Sequence, residues 1–200
     1  MQKDTFQRKA DYPISSFILN RWSPRAMSGE EMTQDELMSL FEAARWAPSS
    51  YNNQPWVFIY GMRGTEAWKG LHELQVPFNQ EWTKNSSALV LVLSRNNFYH
   101  NDKPSVTHSF DTGAAWMALA LEGRAKGLVV HGMQGFDYAA AKTKLHIPND
   151  FTVEAMIAIG KPAPKETLSL ELQAKEVPST RRPVSDFIME GSFKKKSSKP

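Results

Sequence analysis

The organisation of the chain is decided by one stretch, Pro48-Ser-Ser-Tyr-Asn-Asn-Gln-Pro-Trp-Val-Phe-Ile-Tyr60. It begins at a proline, which cannot continue a helix, and passes through hydroxyl and amide side chains that are common in turns. It ends in a run of bulky apolar residues, Trp56–Tyr60, which predicts a buried strand closed by Gly61. The stretch therefore places a strongly polar loop between the end of a helix and the start of a strand.

The residues before this loop predict the helix that it follows. Thr33-Gln-Asp-Glu36 matches a capping box, in which the threonine hydroxyl and the glutamate carboxylate satisfy backbone N–H groups reciprocally. Apolar residues at Leu37, Leu40, Phe41 and Ala44 then recur at helical spacing. A shorter apolar helix is predicted from about Pro13 to Leu19.

Beyond the loop, strands and helices alternate. Apolar runs predict three further strands, which are Ala88–Leu93, Leu128–Val130 and Val153–Ile159. Helical spacing predicts helices over about Glu66–Leu74, Val106–Lys126 and Asp137–Leu145. The pattern indicates an α+β fold with a single domain over residues 1–190.

The chain after Gly160 has a different character. Residues 161–183 contain several prolines and many charges, and they show little periodicity. The apolar stretch Val184–Met189 follows and needs a surface to pack on. Residues 161–190 are therefore predicted to form an extended dimerisation arm, and residues 191–200 a disordered basic tail.

Composition excludes several classes of function. The chain has 200 residues, a formal net charge of +3 and no cysteine, so disulfides, thiolate metal sites and a cysteine nucleophile are excluded. The charge lies partly in the tail, which leaves a near-neutral body and no case for nucleic-acid binding. The longest apolar run, Ala88–Leu93, is too short for a membrane span of roughly 20 residues. We expect a cytoplasmic protein without a membrane partner.

Three further segments could bind a ligand. Arg21-Trp-Ser-Pro-Arg25 offers forked guanidinium donors that suit a phosphate, although a solvated basic loop is the alternative. His131-Gly-Met-Gln-Gly-Phe136 has glycines that allow close approach to a flat ligand, or it is an ordinary strand-to-helix turn. Arg181-Arg-Pro183 could add cations to the same anion, or it could simply be a solvated part of the arm.

Several catalytic motifs are missing from the sequence. There is no Gly-x-Gly-x-x-Gly dinucleotide fingerprint, no Walker motif and no Gly-x-Ser-x-Gly elbow. The five histidines show no spacing typical of a metal site, so none is predicted. With no side-chain nucleophile or acid–base pair in view, a bound cofactor is expected to carry the chemistry.

Taken in order, the four segments resemble the FMN-binding signature of the nitroreductase family, and the resemblance runs from about Ile14 to Ile188. It is most specific in Pro48–Trp56, which is similar to the family's Pro-Ser-x-x-Asn-x-Gln-Pro-Trp loop. Asn79 also matches the family, whereas Trp22 and Trp82 depart from it, the latter standing where many relatives have a lysine. The resemblance implies that FMN is bound by Arg21, Trp22, Ser23, Arg25, Pro48, Ser49, Ser50, Asn53, Gln54, Asn79, Met133, Gln134, Gly135, Arg181 and Arg182.

The same resemblance implies a nitroreductase-like fold, with a central, mostly antiparallel sheet wrapped by helices. It also implies an intertwined homodimer with exchanged C-terminal arms and tightly bound FMN. NADH or NADPH would be the co-substrate, and nitroaromatic or quinone-like acceptors would be reduced in a ping-pong sequence at flavin N5, with no catalytic side chain. The alternatives are a flavin-dependent dehydrogenase or dehalogenase of the same family, or a non-enzymatic flavin-binding protein.

Overall fold

A computed structural model describes residues 8–194, which form two units. The larger unit comprises residues 23–176, and the smaller one contains the described residues up to Trp22 and from Val177 onward. Within residues 8–194, no helix combines the length with the apolar character that crossing a membrane requires.

The larger unit is built on a four-stranded sheet. In chain order its strands are β1 (Trp56–Met62), β2 (Ala88–Arg95), β3 (Val129–Met133) and β4 (Phe151–Gly160). Their order across the sheet is β1-β2-β4-β3, and each neighbouring pair is antiparallel. A register shift between Val92 and Leu93 interrupts the pairing of β2 with β4. The sheet confirms the predicted α+β fold with antiparallel strands.

Helices cover both faces of this sheet. In chain order they are α1 (Ser16–Leu19), which belongs to the smaller unit, then α2 (Gln34–Arg45), α3 (Glu66–Glu73), α4 (Pro77–Thr83), α5 (His108–Ala125), α6 (Tyr138–Lys144) and α7 (Leu170–Lys175). Strand β2 is buried along almost its whole length. Its alternate residues enter two core clusters, one with α2 and α5 and the other with α3, α4 and α7.

Helix α2 begins with the predicted capping box. The Thr33 hydroxyl accepts from Glu36 N at 3.1 Å, and the Glu36 carboxylate accepts from Thr33 N at 2.7 Å. The backbone hydrogen bond from Thr33 lowers the pKa of the Glu36 carboxyl. The reciprocal bonds satisfy two of the N–H groups that a helix start leaves without partners.

Thr33→Ala should lower the free energy of unfolding by about 1 kcal/mol, because it removes the side-chain half of this cap. Ser39→Ala is the matched control, since it removes a hydroxyl from the interior of the same helix, where Ser39 only bonds back to Glu36 O. Urea denaturation of both variants measures the difference. Equal midpoints for the two would show that the cap contributes nothing.

The structure corrects several predicted elements. The first helix begins at Ser16 rather than near Pro13, and β1 continues through Gly61 to Met62. Position 61 requires glycine, because an added Cβ there would overlap the backbone N of Trp68 in α3. Strand β3 extends to Met133, so this residue is a buried strand residue and the turn starts after it.

Two helices were not predicted. Helix α4 starts at Pro77, in the first-turn position that suits proline, and it buries Asn79, Trp82 and Thr83. Helix α7 lies within the segment that was predicted to have no regular structure, so that prediction is wrong for residues 170–175. Leu168 and Leu172 enter the core of the larger unit. Residues 161–176 therefore belong to the folded body, and the role of the remaining residues 177–190 as a dimerisation arm stays a prediction.

The smaller unit joins both ends of the described chain. Arg8 Nη1 donates to Leu19 O at 3.1 Å and to Arg21 O at 2.7 Å. Val184 N donates to Asp11 Oδ2 at 2.8 Å. Phe187 and Ile188 remain 57% and 56% exposed in the single chain. Of the predicted basic tail, residues 195–200 lie outside the described residues.

Candidate functional site

The backbone from Pro24 to Ala26 is fixed from several directions. His131 Nδ1 lies 2.8 Å from Pro24 O, and the Ala26 carbonyl accepts from Ala163 N at 3.1 Å. Glu176 Oε1 accepts from Arg25 N at 2.7 Å and from Ala26 N at 2.9 Å. These contacts hold a segment predicted from sequence to bind an anion, and they determine where the Arg25 side chain starts.

Arg25 leads to a network around Trp82. Its guanidinium carbon lies 6.0 Å from the centroid of the Trp82 ring, which is itself 4.6 Å from the His131 ring centroid. Trp82 is 2% exposed, and its indole N–H donates to Asn79 Oδ1 at 3.2 Å. A cation within about 6 Å of an indole is attracted by the ring quadrupole. The tryptophan therefore connects the arginine to the asparagine.

Asn79 is oriented by both ends of its carboxamide. Its Nδ2 donates to Gly135 O at 3.0 Å, and the same carbonyl accepts from Val76 N at 3.0 Å. An added Cβ at Gly135 would lie 2.5 Å from Asn79 Nδ2, so glycine allows this close approach. Gln134 beside it is exposed. The structure thus brings together three predicted site residues, Arg25, Asn79 and Gly135.

The Pro48–Gln54 loop is held by a second group of contacts. Ser50 N donates at 3.0 Å to Asp111 Oδ2 on α5, and the Thr107 hydroxyl donates to the same oxygen at 3.1 Å. Tyr99 N donates to Asn53 Oδ1 at 2.9 Å, which ties the loop to the residues that follow β2. Asp111 is 4% exposed, so this anchor is buried.

Several residues of this loop adopt left-handed backbone conformations. Tyr51, Asn52 and Gln54 have φ values of 52°, 54° and 49°. Ser49 Oγ accepts from Gln54 N at 3.0 Å across the turn, and Ser49 and Ser50 are half-buried while Pro48 is exposed. Consecutive non-glycine residues in this region are uncommon and persist only where surrounding contacts define them. The conformation of the Pro48–Gln54 loop is therefore defined by its contacts with the rest of the larger unit.

Several buried side-chain donors of the larger unit have no hydrogen-bond partner, on Arg25, Asn53, Gln75, Ser105, Thr112 and Arg124. Two of these atoms, Arg25 Nε and Asn53 Nδ2, belong to segments predicted to bind a ligand. A buried donor without a partner is unfavourable, and a ligand bound at these segments would offer acceptors to both atoms. Across residues 8–194, His, Asp and Glu side chains do not gather in threes that could hold a metal ion.

Four predicted site residues belong to the smaller unit, and their part in a site stays a prediction. Arg21 O and Leu19 O share the Arg8 donor, and Trp22 is half-buried. Arg181 and Arg182 are exposed, and Arg181 Nη1 donates to Ser179 Oγ at 2.7 Å and to Thr180 O at 2.9 Å.

The sequence did not point to two residues that hold these loops. Glu176 and Asp111 bind backbone N–H groups far away in the chain, with Glu176 contacting Arg25 across 151 positions. An acidic residue in the first turn of a helix is common, and a glutamate in a charged segment is unremarkable. No local signal distinguishes them.

Comparison with known proteins identifies the family of the chain. The model of the nitroreductase family matches residues 18–161. A solved structure described as an oxidoreductase containing FMN is 43% identical, covers 94% of this chain and 97% of its own, and superposes with a TM-score of 0.89. A nitroreductase family protein from Streptococcus pneumoniae, 20% identical over 86% of this chain and 96% of its own, shares the fold with a TM-score of 0.68.

Among curated proteins, an oxygen-insensitive NADPH nitroreductase from Helicobacter pylori is 41% identical over 64 residues. That match covers 32% of this chain and 30% of the relative, so the alignment spans less than a third of either protein. The family assignment rests instead on the match over residues 18–161, which includes the Pro48–Gln54 loop, Asn79 and Gly135. The chain belongs to the nitroreductase family.

Proposed function

We propose that the protein is an FMN-dependent oxidoreductase that takes electrons from NADH or NADPH and passes them to small nitroaromatic or quinone-like acceptors. The observation that carries this proposal is the network in which Arg25, Asn79 and Gly135 meet around Trp82. The FMN contained in the 43% identical oxidoreductase and the NADPH nitroreductase activity named for the H. pylori relative support it.

The residues present suit a flavin. A flavin ring has carbonyl and ring-nitrogen acceptors along one edge, and this edge becomes negatively charged on reduction. Arg25 offers a cation and a buried Nε donor, and the Asn79 carboxamide is held in one orientation. Donors fixed in advance at a position where charge develops stabilise that charge without reorganisation. We therefore assign Arg25 and Asn79 to the ring edge.

The other assigned residues would bind and orient the cofactor. Ser49, Ser50, Asn53 and Gln54 offer hydroxyl and amide groups on a loop fixed by Asp111. Arg21, Ser23, Arg181 and Arg182 are proposed to bind the phosphate, together with Trp22. Pro48, Met133 and Gln134 would shape the surface over the ring. The chemistry that bound FMN supplies is hydride transfer at N5, so no side-chain base is assigned, and the two substrates would use one site in turn.

The proposed assembly is a homodimer formed through α5 and residues 177–190. On α5 and just before it, Val106, Phe110 and Met117 are 95%, 80% and 38% exposed. Phe110 and Met117 are two helical turns apart and so lie on one face. An apolar face of this kind on a soluble protein marks an interaction site, and a second copy is the occupant that we propose. Asp111 lies next to Phe110 and holds Ser50, which would connect the cofactor loop to the dimer contact.

Analysis of the cofactor tests the proposal directly. The purified protein should be yellow, and denaturation should release FMN rather than FAD on chromatography. Stopped-flow mixing with NADH or NADPH should bleach the bound flavin, which would separate an enzyme from a flavin-binding protein. Dehalogenation or substrate oxidation without nitroreduction would favour the alternative enzymes of the family. A colourless protein that does not take up added FMN would refute the proposal.

Gly135→Ala should weaken FMN binding about tenfold, because the new methyl group displaces the Asn79 carboxamide from its present position and one hydrogen bond to the cofactor is lost. Gly70→Ala on α3 is the matched control, since nothing lies within 4 Å of an added Cβ there. Fluorescence titration with FMN measures both variants. Equal affinity for the two would remove Asn79 from the proposed site.

A further inference from the structure

We propose that Glu176 is a positioning residue of the cofactor site, which holds the Arg25 backbone so that the guanidinium is in place before the cofactor binds. The inference rests on the proposed function and extends it to a residue that no resemblance identified. It starts from the burial of two acidic side chains in the larger unit, Asp111 and Glu176, which are 4% and 8% exposed. Glu176 accepts from two backbone N–H groups and Asp111 from one, each in a segment assigned to the cofactor.

One carboxylate oxygen of Glu176 accepts two backbone hydrogen bonds. Oε1 accepts from Arg25 N at 2.7 Å and from Ala26 N at 2.9 Å, and both are short distances for N–H donors to a carboxylate. Oε2 is buried and has no hydrogen-bond partner. Two consecutive N–H groups pointing at one oxygen fix the direction of the peptide plane between them. This plane sets where the Arg25 side chain leaves the backbone.

Helix α7 delivers the carboxylate to this position. Glu176 is the C-cap residue that directly follows α7, and it lies four positions after Leu172, which is 1% exposed. Gln173 Nε2 donates to Leu168 O at 2.9 Å, which closes the start of the helix onto the core. The helix is therefore fixed through its apolar face, and Glu176 follows on that same face.

Packing alone does not explain a glutamate here. Burial of an ionised carboxylate is unfavourable, and an apolar side chain of similar volume would serve the helix better. The N–H groups of Arg25 and Ala26 need an acceptor, however, and only a residue with an oxygen can supply it. The choice of glutamate thus serves the Arg25 segment rather than α7.

The charge of Glu176 is also expected to affect the edge of the flavin ring to which Arg25 is assigned. It is a fixed negative charge beside the segment that carries Arg25, the residue assigned to the flavin edge that becomes anionic on reduction. Removal of this charge without loss of the acceptor should favour the reduced cofactor. Glu176→Gln makes that change because its side-chain oxygen can still accept both hydrogen bonds, while Glu176→Ala removes the contact.

The test uses the full-length protein with three variants, Glu176→Gln, Glu176→Ala and the control Glu171→Ala. Glu171 is an exposed carboxylate on α7 that pairs with Lys175, so its loss leaves the Arg25 backbone untouched. The first measurement is amide hydrogen exchange at Arg25 and Ala26 in the flavin-free protein, with β2 amides as the reference for global stability. The others are FMN affinity and the midpoint potential of the bound flavin.

For Glu176→Ala we expect exchange at Arg25 and Ala26 to accelerate about tenfold relative to β2 amides, and FMN affinity to fall about tenfold. Glu176→Gln should restore both and raise the midpoint potential, while the control should match the wild type. Unchanged exchange in Glu176→Ala, or normal affinity despite faster exchange, would overturn the proposal. An unchanged potential in Glu176→Gln would overturn its electrostatic part. The exchange measurement needs no flavin, so it stands even if the wild-type protein fails to bind FMN.

Discussion

A chain that ends after Glu176 is expected to fold but to be recovered as a colourless monomer. Both core clusters are built from residues between Ala26 and Leu172, so the truncation leaves them complete. It removes Arg181 and Arg182, which are proposed to bind the phosphate. It also removes exposed apolar residues that are proposed to pack on the partner, which are Phe187, Ile188 and Met189 at 57%, 56% and 38% exposure.

The size of this effect follows from burial. A large apolar side chain contributes about 1.5–3 kcal/mol when it moves from water into a packed interface, so the loss of three should dissociate a dimer at micromolar concentration. Light scattering coupled to size-exclusion chromatography gives the mass, the visible absorbance gives the flavin, and circular dichroism confirms folding. A chain that ends after Lys194 is the control. A truncated protein that remains dimeric and yellow would contradict the role proposed for residues 177–190.

Arg25→Ala is expected to weaken FMN binding by about ten- to hundredfold, which corresponds to about 1.5–3 kcal/mol for a hydrogen bond that involves a charged group. The variant should fold normally, because Glu176 contacts the backbone of residue 25 and not its side chain. Removing the guanidinium also ends its contact with the Trp82 ring, whose centroid lies 6.0 Å from the guanidinium carbon.

Two further variants make this result specific. Arg25→Lys keeps the charge but not the forked geometry, so it should recover only part of the affinity. Arg45→Ala removes an exposed arginine that pairs with Glu42 on α2, and it should bind FMN like the wild type. Fluorescence titration of flavin-free protein compares all of them. Indistinguishable affinities for Arg25→Ala and Arg45→Ala would take Arg25 out of the site.

The sequence predicted those elements whose signals are local. The capping box at Thr33 and Glu36 depends on residues three positions apart, and it is present as predicted. A continuous apolar run predicts strand β2, because this strand is covered on both faces. Helices α4 and α7 were not predicted, because the interactions that stabilise them are not local. Each has about two turns or fewer, and their stability comes from Trp82 and Leu172 entering a core assembled by distant segments.

In the candidate site, too, residues with a local sequence signal were predicted and residues without one were not. Side chains that would contact a ligand, such as Arg25 and Asn79, lie within recognisable segments, and the structure brings these two together around Trp82. Residues that position such side chains have no local signature. Glu176 and Asp111 reach their partners across 151 and 61 positions, so only the folded chain reveals them. Their acidic character would have predicted solvent exposure.

The strand order β1-β2-β4-β3 bears on how the protein is made in a cell. As the chain leaves the ribosome, β1 and β2 can pair early, but the other edge of β2 waits for Phe151–Gly160. Until then a run of leucine and valine, Leu89–Leu93, keeps an open hydrogen-bonding edge, which is a template for pairing with other nascent chains. We expect newly synthesised protein to need a holding chaperone during this interval, and yields to rise when chaperones are co-expressed.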